Sequence, residues 1–238
     1  KNIIVQEDLD YILKEFGQAE LFKNKTVLVT GCAGFLGFYF VHFFACLHKQ
    51  GVPLKRLVLL DSFILGIPPW LEALKGDPYL DIHTFDISKD DISKVASANQ
   101  VDYVIHMASI ASPVFYRQYP LETLDANIWG LRRLLDFYSQ KELQGFLFFS
   151  SSEIYGDPDP KAIPTNEEYR GNVSAIGPRA CYDEAKRFGE TLCFVFHQTK
   201  KVPLRIVRPF NNFGPGMRLN DGRIPADFAQ AVLKSEDL

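Results

Sequence analysis

Tyr182 and Lys186 stand four residues apart, so on a helix a phenol and an ammonium share one face. A free tyrosine titrates near about pH 10 and is a poor base at neutrality, but an adjacent cation favours its phenolate. Such a base can take the proton of a sugar hydroxyl while hydride leaves the same carbon. A bare pair of this kind is also common as helix surface, so its surroundings decide. Upstream, Ser151, Ser152 and Glu153 directly follow an apolar run ending at Ser150. Ser151 is placed to hydrogen-bond the reacting hydroxyl, and Ser152 and Glu153 to reach the neighbouring carbons. A polar turn capping a helix is the plainer alternative for all three.

A second constellation is built for a phosphate. The run Thr26–Thr30 leads into Gly31, Gly34 and Gly37, with Phe35 and Leu36 opening the next helical pattern. Glycines let a backbone turn sharply and approach a pyrophosphate, whose charge is met by unpaired N–H groups and the helix dipole. The spacing is GxxGxxG rather than GxGxxG, and a strand-to-helix turn that merely needs glycine would look the same. Asp61 ends the next apolar run, where a carboxylate accepts hydrogen bonds from an adenosine ribose and repels a 2′-phosphate. That favours NAD over NADP; a cap or a solvated strand-end acid is the alternative. Asp86 and Ile87 end the third run and are placed to meet the adenine, although Asp86 before Ser88 also suits a turn.

These groups need a scaffold that delivers them to one edge. Six short apolar runs, 26–30, 56–61, 82–85, 102–106, 146–150 and 204–208, lack period-2 alternation. Strands buried on both faces read this way, and helical patterns at 35–50, 88–99, 121–143 and 181–199 supply the crossovers. The expected fold is α/β, a doubly wound parallel sheet of Rossmann type. Leu9, Ile12, Leu13 and Phe16 predict a helix ending at Gly17 within an N-terminal extension, 1–25. Residues 26–210 form the expected NAD-binding domain, with 157–180 as a substrate-side loop. Residues 211–238 are the expected start of a smaller substrate-binding domain that is cut short.

With 238 residues, 47% hydrophobic and 23% charged, the chain has the composition of an ordinary globular protein. Its net charge of -3 argues against a nucleic-acid partner, which needs clustered Lys and Arg. The longest apolar stretch, 35–47, is broken by His42 and falls short of the roughly 20 residues a membrane helix requires. Glu7, Asp8 and Asp10 stand where a signal peptide would be basic, so a cytoplasmic protein without a membrane partner is expected. Cys32, Cys46, Cys181 and Cys193 make no CxxC pair, so neither a metal site nor a redox motif is expected. His106 ends a strand beside the cofactor turn and receives no proton-transfer role.

Taken together, the glycine turn, His106-Met107-Ala108-Ser109, Asn127 to Gly130, the Ser-Ser-Glu strand end and the Tyr182/Lys186 pair resemble the extended short-chain dehydrogenase/reductase family. Within it, residues 176–186 and the run from Asn211 to Arg223 resemble the UDP-glucuronate decarboxylases. The resemblance implies NAD as cofactor, with Met107, Ala108, Ser109 and Asn127 joining the cofactor site. It makes Tyr182 the base and Lys186 the group that lowers its pKa and holds the nicotinamide ribose. Ser151 aligns the substrate, standing where the family usually has Thr.

A nucleotide-sugar is the implied substrate, contacted by Asn211 and Arg223 and bordered by Ser112 and Pro113. Gly216 replaces a family Arg, whose charge Arg218 would supply. Decarboxylation after oxidation at C4 is the first reading. A 4-epimerase, a 4,6-dehydratase (disfavoured by Ser152 where that group carries Asp) and a non-catalytic NAD-binding protein are the alternatives. Apolar residues off the core stripes of the 121–143 and 181–199 helices, Trp129 among them, match the helices through which this family forms a homodimer.

Overall fold

The computed structural model describes residues 2–220 and 222–236; Lys1, Asp221, Asp237 and Leu238, which fall in the two predicted terminal segments, lie outside the described residues. In chain order the elements are α1 (Ile3–Phe16), β1 (Thr26–Thr30), α2 (Phe35–Lys49), β2 (Arg56–Asp61), α3 (Pro69–Glu72), β3 (Leu80–Thr84) and β4 (Tyr103–His106). There follow α4 (Pro113–Gln118), α5 (Pro120–Leu124), a π-helical turn (Asp125–Gly130), α6 (Leu131–Tyr138), β5 (Gly145–Phe149), α7 (Ala180–Lys200), β6 (Leu204–Val207) and α8 (Ile224–Lys234).

All six strands are parallel, in the order β3-β2-β1-β4-β5-β6. The order reverses between β1 and β4, and at such a switch point the carboxyl ends of the strands open a crevice for a ligand. Every residue of β1 is buried. On one sheet face Leu28, Val58, Leu60, Val104, Phe146 and Phe148 pack beneath α6 and α7. On the other, Val27, Val29, Leu57, Leu59 and Ile105 pack beneath α1 and α2. This two-sided burial is why the strands read as unbroken apolar runs.

Helix α1 ends at Gly17 in the left-handed conformation and buries Val5 and Leu9. It is tied to α2 where the Tyr39 hydroxyl donates to Asp8 Oδ2 at 2.8 Å. The predicted helix over 88–99 is instead two 3-10 turns, Ile92–Lys94 and Ala96–Gln100. Asp91 accepts from the N–H and hydroxyl of Ser93, and side chains that bond locally compete with a continuous helix. The helix expected to reach Leu143 stops at Tyr138, and its middle is the π turn. No helix among the described residues is long and apolar enough to cross a membrane. The four cysteines are separate free thiols.

Candidate active site

The glycine turn follows from β1 into α2. Gly31 adopts φ 73°, and a side chain there would meet Ala108 N at 2.8 Å. Gly34 is the N-cap of α2 and offers no side-chain acceptor to the N–H groups of the first turn, where Phe35 and Leu36 stand. Asp61 braces this turn from β2: its Oδ2 accepts from Ala33 N–H at 2.9 Å and its Oδ1 from Phe63 N–H at 3.0 Å. Burial raises the Asp61 carboxyl above its ordinary range, against the pull of those N–H groups and of Arg218.

Asp86 serves as a turn residue. Its Oδ1 accepts from the Ser88 N–H and hydroxyl, and its Oδ2 pairs with Lys89 at 2.9 Å. Burial works against ionisation there, but the Ser88 and Lys89 contacts outweigh it and hold the carboxyl below the usual range. Ile87 is buried against Gly130.

From the β4 side, Met107 N–H donates to Thr30 O and Ala108 N–H to Thr30 Oγ1, which closes the chain over the Gly31 turn. Ser109 Oγ is buried there and meets no hydrogen-bond partner among the described residues. The π turn adds a second such atom. Asn127 is buried, its Nδ2 donates to Thr123 O at 2.8 Å, and its Oδ1 has no described partner. A widened turn of this kind is frequent at functional sites. A glycine-lined helix start, an acid at the β2 end and two buried polar atoms in want of partners fit a dinucleotide. Burial, with Lys186 nearby, lowers His106 to about 3, and its Nδ1 lies 2.7 Å from Thr30 Oγ1.

The reactive groups meet where β5 ends and α7 begins. Ser151 caps a 3-10 turn over Ser152–Tyr155, accepting from Glu153 N–H at 3.2 Å, and its hydroxyl lowers the pKa of the nearby Tyr182 phenol. Lys186 lies on the same face of α7; it is buried, and its Nζ donates to Phe149 O at 2.8 Å, 5.8 Å from the Tyr182 ring.

Burial pushes the Tyr182 phenol up to about 12; the Ser151 side chain opposes this, while Glu153, Tyr116 and Asp183 reinforce it. Burial also lowers Lys186 to about 7.

Sequence reasoning missed three neighbours. Arg179, the N-cap of α7, pairs with Glu153 and reaches Asp183 Oδ2 at 3.4 Å. Tyr116 of α4 stacks on Tyr182, centroids 5.1 Å apart and planes 10° apart. The signals available were Arg179 opening the tyrosine's own helix and a tyrosine just beyond Pro113.

Ser112 is the N-cap of α4 and Pro113 its first residue. Arg223 is the N-cap of α8. Asn211 is exposed at the end of the segment leaving β6. Arg218 Nη2 donates to Leu65 O at 3.4 Å and its charge acts on Asp61, and the turn before it places Gly216 against Phe38 of α2.

The loop leaving this site is stitched at its base. Gly156 bridges Asn172, whose carbonyl accepts from Asp157 N–H at 3.0 Å while its own N–H donates to Tyr155 O at 2.9 Å. Arg208 fixes the middle, donating to Glu190, to the Tyr155 hydroxyl and to Glu167 O.

Comparison with known proteins agrees with this geometry. The chain is 35% identical over 215 residues to UDP-glucuronic acid decarboxylase 6 of Arabidopsis thaliana, covering 90% of this chain and 59% of that protein. It is 36% identical over 215 residues to UDP-glucuronic acid decarboxylase 1 of Xenopus tropicalis, covering 90% of this chain and 48% of that one. Among solved structures, the UDP-glucuronic acid 4-epimerase of Bacillus cereus with UDP-glucuronic acid and NAD matches with a TM-score of 0.68 and 25% identity, over 90% of this chain and 64% of that one. The chain thus spans about half to three-fifths of the curated relatives it matches. Residues 27–238 match the NAD dependent epimerase/dehydratase family, and the chain belongs to that family.

Proposed function

We propose that the protein is an NAD-dependent nucleotide-sugar enzyme acting as a UDP-glucuronate decarboxylase. The observation that carries the reading is the buried Tyr182 phenol on α7, with Lys186 Nζ 5.8 Å from its ring and Ser151 at the carboxyl end of β5 acting on it. The decarboxylases quoted above support the choice of reaction.

Gly31, Gly34, Phe35, Leu36 and Gly37 would hold the pyrophosphate, Asp61 the adenosine ribose, and Ser109, Asn127 and Lys186 the nicotinamide end. Bound NAD supplies a hydride acceptor early in the cycle and a hydride donor late, so none is consumed. Tyr182 takes the proton of the sugar C4 hydroxyl and later returns it, with Ser151 steadying the phenolate. Oxidation at C4 makes the C5 carboxylate a β-keto acid, and departure of carbon dioxide leaves an enolate on the sugar. Ser152 and Glu153 arrange the carboxylate end. Residues 211–238, with Asn211 and Arg223, open the part that grips the nucleotide-sugar.

A homodimer completes the proposal. On α7, Phe188, Phe194 and Val195 are exposed, as are Leu121 on α5 and Trp129 on the π turn. Two adjacent helical segments with apolar outer faces suit a bundle with a second copy.

Incubating the full-length protein with UDP-glucuronate, UDP-glucose and dTDP-glucose under mass spectrometry tests the reaction. Loss of carbon dioxide from UDP-glucuronate is expected. Loss of water marks a dehydratase, interconversion of isobaric sugars an epimerase, and NAD binding without turnover of any sugar a non-catalytic protein; each of these outcomes overturns the reading.

A further inference from the structure

Asp183 follows the reactive phenol directly on α7, yet nothing in the mechanism above uses it. It is 7% exposed, and its Oδ1 meets no hydrogen-bond partner among the described residues. Its Oδ2 lies 3.4 Å from Nε of Arg179, whose Nη2 is already bonded to Glu153 Oε2. One guanidinium therefore bridges two carboxylates beside Tyr182. The Tyr116 hydroxyl is buried and likewise without a described partner, on a ring stacked over Tyr182.

Charge arithmetic shows what this group does. With both carboxylates ionised it carries one net negative charge, with Asp183 buried and Arg179 and Glu153 partly exposed. A sugar carboxylate brought up to Ser152 and Glu153 adds another, and carboxylates crowded together cannot all stay ionised. The 3.4 Å contact to Asp183 is long for a charge-assisted bond, so this is the less firmly held of the two acids.

We propose that Glu153, Arg179 and Asp183 form one proton-holding unit that takes up a proton as a carboxylate-bearing sugar nucleotide binds, with Asp183 a positioning residue acting through Arg179 without touching the sugar. The inference rests on the decarboxylase reading. The groups facing Asp183 are Arg179, Tyr182 and Glu184 on its own helix, Glu153 from the turn after β5, and Tyr116 from α4. Helix α5 also packs on α7, but its Glu122 is exposed.

Burial, the strongest influence, raises the Asp183 carboxyl; Arg179 opposes it, and Glu153 and Glu184 add to it. The overall reaction takes up one proton, delivered to C5 by solvent or a group that touches the sugar and not by Asp183. In R–COO⁻ + H⁺ → R–H + CO₂, the electron pair of the broken C–C bond stays with the sugar and is protonated at C5.

The test is calorimetric titration of the full-length, NAD-loaded protein in a Tyr182→Phe background, which prevents turnover. Titrations at about pH 7 in two buffers of different ionisation enthalpy count the protons taken up. About one proton is expected with UDP-glucuronate and about none with UDP-glucose. Asp183→Asn in that background is expected to bind both sugars while its uptake with UDP-glucuronate falls to about none.

Equal proton counts for the two sugars, or full uptake by Asp183→Asn, overturn the proposal. The comparison of the two sugars decides alone if the Asn variant folds poorly. Failure of the wild-type protein to bind or convert UDP-glucuronate refutes the decarboxylase reading and this inference with it, whereas conversion without differential uptake refutes only this inference.

Discussion

The three glycines of the turn after β1 are expected to separate by experiment into those the fold needs and one the ligand needs. A Cβ at Gly31 would lie 2.8 Å from Ala108 N and 2.9 Å from Met107 C, at φ 73°. Holding an L-residue in that conformation costs about 1–2 kcal/mol, and overpacking against backbone about 1–3 kcal/mol more. Gly31→Ala should therefore lose roughly 2–5 kcal/mol, a large part of the about 5–15 kcal/mol that holds a domain together. With a urea m-value of about 2 kcal/mol/M, the unfolding midpoint falls by about 1–2.5 M.

Gly34 differs: its nearest atom would be Gly31 O at 3.3 Å, and its φ is -76°. Gly34→Ala should cost about 1 kcal/mol or less, the worth of a weaker N-cap. Its methyl would still stand over the free N–H groups of α2 and weaken NAD about tenfold or more, read as a Kd by calorimetry. If Gly34→Ala were as destabilised as Gly31→Ala and bound NAD normally, the assignment of the turn to a pyrophosphate would be wrong.

Further expectations concern chemistry, pH and assembly. Tyr182→Phe should abolish turnover while NAD affinity and the urea midpoint stay near wild type; measurable carbon dioxide release by this variant removes the phenol from the reaction. Lys186 is lowered to about 7 in the fold against about 10.4 unfolded, so over that window the unfolded chain binds the extra proton and stability rises with pH. Urea unfolding across the window should show this rise, flattened in Lys186→Met. Asp61→Asn keeps an acceptor for one of its two N–H partners and should relax discrimination against NADP, seen as a reduced ratio of the two Kd values; an unchanged ratio leaves Asp61 a brace only. Light scattering of the full-length protein should give twice the monomer mass, and Trp129→Asp should return it to one.

The sheet was legible because burial on both faces removes alternation: Val27–Val29 and Leu57–Leu60 show unbroken apolar runs. The Tyr182/Lys186 pair and the Ser151 turn were legible because each is local, a matter of helical spacing or of a strand end. What stayed hidden depends on partners distant in the chain. Arg179 matters through Glu153, 26 residues away, and Tyr116 through a stack on Tyr182. Spacing placed Lys186 on the face of Tyr182, but only the fold shows its ammonium turned to Phe149 O. That Arg218 acts on Asp61 depends likewise on a partner far away in the chain. The 88–99 stretch resembled a helix until its Asp and Ser side chains claimed its N–H groups.

The bridge between Gly156 and Asn172 has a consequence for how this scaffold can vary. Both feet of the overhang stand on one rung, so the chain between them can lengthen or shorten without moving Tyr155 or the start of α7. Doubling such a span costs only about 0.6 kcal/mol in closure entropy. The architecture thus steers variation into the brim between those feet, while the rim that carries Ser151, Tyr182 and Lys186 keeps its dimensions.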